Sequence, residues 1–471
     1  MSQGVIIGVG KIVVVELKGL RSGFIGELFT VAPGCSAISN TGMIVNVSIN
    51  HNGGLSLGGL LINSDVRVIS GSEVICEESV LSIKLGDSLL SSIVDPIGNI
   101  LIGNEISAAA YRWTIESPAP GIMERESVFE PLQSGLIAVD SMVPIGRGQR
   151  ELVVGDRQTG KASIGVDTIL NQKYENVFCT YCPIGQKASA VLEVFLCLIR
   201  RDAVANVSIV VASAATSAVA QFLCAYTGVA VAEFFMLVKE SPCFVIFDDL
   251  SRHAIAYREI YLLLRRPPGR EAYPGEIFFV HSRLLERSAK IRFGLGGGSV
   301  TAFPVIETLA GDVSAYITTN VISITDGQIF LSIDLFLSGI KPAVDIGLSV
   351  TRVGSAAQWA GMTLVSGSSK LELAQFFELQ AFAQFSSDLG ADTKAKLERG
   401  KCIVKMLKQF CGKPKTLNSQ IITSSHSNQD IPSELNINKI LHALKLVSPI
   451  LNWIYFLYLL RTVVRAIVSR A

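Results

Sequence analysis

A run of glycine, four variable residues, glycine and lysine, set between an apolar segment and a helix-spaced one, is chemistry for holding phosphates. Residues 155–163 read Gly155-Asp156-Arg157-Gln158-Thr159-Gly160-Lys161-Ala162-Ser163. In such a loop successive backbone N–H groups and the start of the next helix wrap the phosphates. The lysine neutralises the outer two, and a Ser or Thr hydroxyl following it ligates Mg²⁺. Here that hydroxyl position is Ala162. Ser163 comes one residue later, turned by about 100° on a helix of 3.6 residues per turn, so it does not inherit the metal role by default. The sequence therefore predicts a retained phosphate cradle with one Mg²⁺ ligand removed.

A second chemical feature is Cys243-Phe244-Val245-Ile246-Phe247-Asp248-Asp249, a buried-strand pattern that ends in carboxylates. Asp248, at the carboxyl end of a central strand beside the loop, is placed to hold the water shell of a Mg²⁺ ion. The elements that would position both features are legible around them. Glu151-Leu152-Val153-Val154 enters the loop as a strand, and Ile164 through Leu170 leaves it with helical spacing. Further out, residues 1–85 alternate short strands such as Lys11–Leu17 and Val66–Ile69 with glycine-rich turns, which predicts a small β-barrel. Residues 86–358 alternate apolar strands with helices, which predicts a mostly parallel sheet covered on both faces. From Trp359 to about Cys411 the pattern is helical, with Leu371, Leu373, Phe376, Phe377, Leu379, Phe382 and Phe385, and an atypical tail follows from about 416. The expected fold is thus multidomain α/β: a barrel (1–85), a P-loop nucleotide-binding domain with a mostly parallel sheet (86–358) and a helical domain (359–471).

The balance of 41 basic and 40 acidic residues gives a net charge of +1, so bulk charge does not point to nucleic acid. Charged residues make up 17% of the total, below the ~25% usual for soluble domains, which implies that much surface is covered by other subunits. Nine scattered cysteines do not form a disulfide framework, and Cys179-Thr180-Tyr181-Cys182 lies on an apolar run as buried strand thiols. The five histidines, His51, His253, His281, His426 and His442, show no metal-ligand spacing and read as structural. The first residues lack the pattern of a secretory or transit segment. That is the expectation for a protein that stays in the cytosol or is made inside its own organelle.

Longer stretches carry a family likeness. Ser117-Pro118-Ala119-Pro120-Gly121-Ile122, Glu130-Pro131-Leu132-Gln133-Ser134-Gly135-Leu136 and Pro144-Ile145-Gly146-Arg147-Gly148-Gln149-Arg150 lead into the loop. Leu262-Leu263-Leu264-Arg265-Arg266-Pro267-Pro268-Gly269-Arg270, Ile322-Ser323-Ile324-Thr325-Asp326-Gly327-Gln328 and Thr351-Arg352-Val353-Gly354-Ser355-Ala356-Ala357-Gln358 follow it. The protein resembles the alpha subunit of F-type ATP synthases. Gly185-Gln186-Lys187-Ala188-Ser189 and Ala383-Gln384-Phe385 look most like the chloroplast and cyanobacterial branch. The likeness is strong over about 96–410, weaker across the barrel and essentially absent after Lys415.

The resemblance implies that the 86–358 domain is RecA-like, a P-loop NTPase fold, with ATP or ADP bound at 155–163, Gln186, Asp248 and Gln409 in the same site and Mg²⁺ at Asp248. It also implies a place in an alpha3-beta3 hexamer around a gamma shaft, with stator or delta-type contacts, peripheral to the proton-channel sector. The implied location is the stromal side of the chloroplast thylakoid, with a bacterial or mitochondrial inner membrane as the alternative. Gln186 matches the position where catalytic beta subunits carry a glutamate, and an amide cannot take a proton from water. Arg352 matches the arginine that reaches a neighbouring beta site, where a guanidinium stabilises charge on the transferring phosphoryl group. Ser349 matches a position required for activity and is expected to support that arginine. Gln409 matches one near the adenine.

Three departures stand out: Ala162, a start at the barrel without the family's stalk-docking helix, and the tail. Within the tail, Leu446–Leu460 is apolar and followed by Arg461, Arg465 and Arg470. Fifteen residues fall short of the ~20 needed to span a bilayer. A buried helix and a helix lying on the membrane surface both remain open. Three function classes stay in view: a non-catalytic nucleotide-binding subunit of a proton-driven synthase, a catalytic motor ATPase of the same superfamily, and a degenerate structural remnant of the alpha subunit.

Overall fold

The computed structural model describes residues 2–9, 13–17, 24, 26–31, 40–49, 55–62, 70–103, 111–264, 266–367, 369–383 and 391–425. The expected strand Val66–Ile69, residue Arg265, the ring of Phe385 and the apolar tail segment lie outside them.

Six strands close a barrel: β1 (Ser2–Val9), β2 (Val13–Leu17), β3 (Glu27–Val31), β4 (Asn40–Ile49), β5 (Leu55–Leu61) and β6 (Glu73–Val80), in the order β1-β2-β5-β4-β3-β6. Phe29 fills its interior, and Gly42 and Gly59 are required there because a Cβ on either would fall within 2.3 Å of the Phe29 ring.

The central sheet has ten strands among the described residues. In sequence order nine of them are β7 (Ile93–Val94), β8 (Ile100–Ile102), β9 (Glu151–Gly155), β10 (Phe178–Gln186), β11 (Val207–Val210), β12 (Pro242–Asp248), β13 (Ser299–Glu307), β14 (Gly327–Leu331) and β15 (Val344–Thr351). Across the sheet they run β15-β14-β9-β13-β12-β10-β11-β7-β8, with Ala212–Ser213 alongside β10. Pairing from β14 through to β7 is parallel, and the edges β15 and β8 are antiparallel. Strands buried on both faces need no polar alternation, which explains runs such as Cys243–Phe247.

Each face has its own core. On one side lie α1 (Lys161–Gln172) and α2 (Ala188–Arg200), joined by Leu373, Ile403 and Leu407 from later helices. On the other lie α3 (Ala218–Leu237), α4 (Leu250–Leu263) and α5 (Ile277–Leu285). Helix α3 is long and apolar enough to cross a membrane, yet 94% of its apolar window is buried inside the protein. Apolar on every side, it is a core helix sandwiched between sheet and α4. Its single acid, Glu233, forms a fully buried pair with Arg287, which also donates to the Ile115 carbonyl at 2.7 Å. That interaction fastens the core helix to the segment leaving the barrel.

Helix α6 (Tyr316–Ile324) packs against α5 and β9, and the helical region comprises α7 (Ala360–Ser366), α8 (Ser369–Ala383), α9 (Ala391–Leu407) and α10 (Leu417–Ser425). Only part of the apolar series expected there points inward: Leu373 and Phe376 are buried, whereas Leu371 and Phe377 are exposed. The cysteines of the 179–182 run are buried on β10 as expected. His253 and His281 are structural as expected: 28 residues apart, they meet in the core.

Candidate functional site

Strand β9 delivers the loop and α1 departs from it, so the strand-loop-helix reading of 151–170 is realised. The loop turns through left-handed backbone at Gln158 and Gly160. The start of α1 is left uncapped by any side group, and nothing lies within 4 Å of where a Gly160 Cβ would be. Open first-turn N–H groups and an unobstructed glycine are what a row of phosphates requires. Asp156 is buried and accepts from Thr308 Oγ1 at 2.7 Å and from the Gly311 N–H at 2.9 Å, which pins the loop's base to the end of β13. Thr159 Oγ1 donates to the Asp156 carbonyl at 2.8 Å, and Arg157, largely exposed, pairs with Glu307.

Lys161 Nζ donates to the Gly155 and Asp156 carbonyls at 2.9 and 2.5 Å. Burial pulls its pKa down, against the attraction of Glu307, Asp249, Asp248 and Asp156. It rests folded onto its own loop, one side-chain rotation from a bound phosphate.

Asp248 ends β12 beside this lysine. Tyr181 Oη donates to its Oδ2 at 2.7 Å and Gln186 Nε2 to its Oδ1 at 3.3 Å. Burial raises the pKa of Asp248, and raises that of Asp249 to about 7 with Asp248 adding to the rise. Gln186 thus sits on the acidic strand end, its amide turned toward a carboxylate. For a triphosphate the residues fit. For Mg²⁺ one ligand is missing, since Ala162 offers none, but the Asp248 carboxylate remains: each oxygen accepts one hydrogen bond and keeps a second lone pair for a metal-bound water.

Ser163 borders a cavity of about 710 Å³ next to the loop, lined by Gln158, Gly160, Asp167, Phe336, Pro342 and Phe410 among others. Its hydroxyl lies within hydrogen-bonding reach of the Cys411 thiol, on the base side of the loop rather than the metal side. The apolar walls and the adjoining phosphate loop give the dimensions and polarity of a nucleoside pocket. Gln409 forms part of the wall, but its amide is spent on structure: Oε1 accepts from the Ile137 N–H at 3.3 Å, and Nε2 donates to the Gly135 and Lys413 carbonyls at 2.8 Å. Phe336, Lys341 and Cys411 are pocket residues that the sequence reading missed, since they come from segments with no motif of their own.

Arg352 is not in this cavity. It follows β15 and opens onto a second cleft, of about 380 Å³, lined by Arg125, Arg150, Lys290, Asp326 and others, which shares no residue with the first. Arg352 is exposed and, among the described residues, forms no ion pair. Ser349 lies on the same strand with its hydroxyl buried. There β14 and β15 slip register between Gln328 and Phe330, and Ser349 Oγ takes up the slack, accepting from the Phe330 N–H at 3.0 Å and donating to the Asp345 carbonyl at 2.5 Å.

The family model for the ATP synthase alpha/beta nucleotide-binding domain matches residues 135–351, and that for the C-terminal domain of the same alpha/beta family matches 358–452. The protein belongs to the ATP synthase alpha/beta family. Membership carries ATP/ADP binding and a place in a multisubunit F1 assembly. It also corrects one expectation: the likeness does not end at Lys415, because the C-terminal match runs on to 452. Helix α10 shows why the segment still fits. Gln420 Nε2 donates to Asp140 Oδ2 at 2.7 Å, and Ile422 and Thr423 are buried, so this helix is packed onto the nucleotide-binding domain.

Proposed function

We propose that this protein is the non-catalytic, alpha-type subunit of a proton-translocating ATP synthase of the chloroplast kind. It holds ATP or ADP at its own P-loop and lends Arg352 to the adjacent beta subunit for ATP synthesis from ADP and phosphate. The observation that carries the reading is the separation of the two clefts: the exposed arginine opens away from its own nucleotide pocket. A guanidinium outside its own nucleotide pocket supports a role at a site completed by another subunit. At its own site, Gln186 occupies the strand end with an amide that cannot act as a base. Mg²⁺, where present, would lend Lewis acidity to the bound phosphates; Asp248 is the residue that would meet its water shell.

In this reading Ser349 holds the last strand in register, and Arg352 provides charge stabilisation at the neighbour's phosphates. The intact cradle supports retained nucleotide binding over a degenerate remnant, and Gln186 with Ala162 argues against a self-sufficient motor ATPase. The deciding experiment is affinity purification with identification of the associated subunits, followed by turnover of the assembled complex. Beta and gamma partners in fixed ratio, with Arg352→Ala lowering multi-site turnover by about 10³-fold or more while assembly stays intact, is the expected result. Full turnover in Arg352→Ala, or brisk ATPase activity from this protein alone, would overturn it.

A further inference from the structure

We infer that Arg150 and Asp326 form a clamp that positions Arg352; the inference rests on the role proposed above for that arginine. Three backbone segments converge at the end of the sheet remote from the phosphate loop. Arg150 immediately precedes β9, Asp326 immediately precedes β14, and Arg352 immediately follows β15. Arg150 grips the Asp326 carboxylate in fork geometry, with Nε to Oδ2 at 3.0 Å and Nη2 to Oδ1 at 2.7 Å, and its backbone N–H adds a third bond to Oδ2 at 3.1 Å. The Asp326 N–H returns a bond to the Arg150 carbonyl at 2.9 Å, and Arg150 Nη1 is tied to Glu286. Asp326 is therefore fixed at both carboxylate oxygens and at its amide. Its remaining backbone group, the carbonyl, accepts from the Arg352 N–H at 2.9 Å.

A second link runs beside the first. Gln149 Nε2 is shared between Glu151 Oε2 at 2.7 Å and Thr351 Oγ1 at 3.0 Å, so the residue just before Arg352 is anchored to the same β9 end. Gly327 is obligatory in between: a Cβ there would stand 2.3 Å from Glu151 Oε2 and 2.6 Å from the Val350 carbonyl. Arg352, exposed and without an ion pair among the described residues, thus owes its backbone position to a bidentate salt bridge. A planar fork restricts orientation as a lysine cannot.

The test uses the assembled complex with four forms of this subunit: wild type, Asp326→Asn, Arg150→Lys and Arg352→Ala. Misplacement of a reacting group by about 1 Å costs on the order of 100-fold, so kcat should fall about 10- to 100-fold in Asp326→Asn and in Arg150→Lys. KM should stay within about twofold, because ground-state binding is untouched. In an Arg352→Ala background, Asp326→Asn should add less than about twofold, since there is no longer a guanidinium to place. A purely structural role would instead lower the yield of complex and leave kcat per assembled complex unchanged in both variants, which overturns the inference while Arg352→Ala still abolishes turnover. Full activity of Arg352→Ala would overturn the parent reading instead. If Asp326→Asn does not assemble, Arg150→Lys decides; failure of both to assemble marks the pair as structural and ends the proposal.

Discussion

Replacing His253 by glutamine should make the protein more acid-resistant, by an amount that follows from the buried histidine pair. Both rings are fully buried. His253 Nε2 lies 3.1 Å from the Phe222 carbonyl, and its Nδ1 lies 3.3 Å from His281 Nε2. A carbonyl only accepts, so Nε2 of His253 carries the proton, Nδ1 accepts, and His281 donates through Nε2. His281 Nδ1 is left buried without a partner among the described residues. Burial lowers His253 to about 4, and burial with the neighbouring ring lowers His281 to about 3. In the unfolded state both titrate near 6.5. As pH falls, the unfolded state therefore takes up protons that the native state refuses. The pair's contribution is whole above about pH 6.5 and is lost as pH drops toward the folded values. At pH 5 each histidine costs about 1.5 pH units at about 1.4 kcal/mol per unit, or roughly 2 kcal/mol.

The raw pH profile hides this, because Asp140, Glu151, Asp167, Asp248 and Asp249 are raised by burial and favour the native state in acid. Subtracting the variant from wild type cancels them. Glutamine can donate to Phe222 and accept from His281, so the bonds survive while one titrating group goes. The variant should gain about 2 kcal/mol on wild type between pH 7 and pH 5, or about 2 °C in Tm at this size. Urea or thermal melts of both forms at the two pH values measure it. A difference that stays constant within about 0.5 kcal/mol would show that the pair is not buried and neutral as described.

Restoring the missing hydroxyl with Ala162→Thr should tighten nucleotide binding several-fold in the presence of Mg²⁺ and leave it unchanged in chelator, as read by titration of a fluorescent ATP analogue. Equal gains in both conditions would place the effect elsewhere. Glu233→Ala should destabilise the protein by about 3–5 kcal/mol, because the fully buried Arg287 would keep its charge and only the Ile115 carbonyl. Converting both Glu233 and Arg287 to methionine should recover most of that loss in the same denaturation assay. A double variant no better than the single one would contradict the account.

The phosphate loop and the acidic strand were legible in the sequence because each is a contiguous run whose neighbours have clear periodicity. The barrel and the two-faced sheet followed from alternation and from apolar strand runs. What escaped was made by the fold from distant pieces. Arg150 and Asp326 stand inside recognisable runs, yet nothing local says that one grips the other across 176 residues. His253 and His281 looked unrelated because helix spacing gives no hint of which turn of α4 faces which turn of α5. Cys411 and Phe336 reach the nucleotide pocket from segments without periodicity or motif, so only the closed fold brings them there. The site of Arg352, by contrast, was readable only through family likeness, since an exposed arginine after a strand has no local signature.

Helix α3 poses a problem of timing. It emerges from the ribosome before β12 and β13, two of the strands that wall it in, and β13 ends roughly 70 residues later, about 4–14 s at 5–20 residues per second. Throughout that interval a twenty-residue apolar segment has only part of its shelter, the earlier strands β10 and β11, and it carries the length and composition of a membrane-crossing helix. A cell short of factors that shield exposed apolar segments during synthesis should therefore yield more aggregate and less folded subunit.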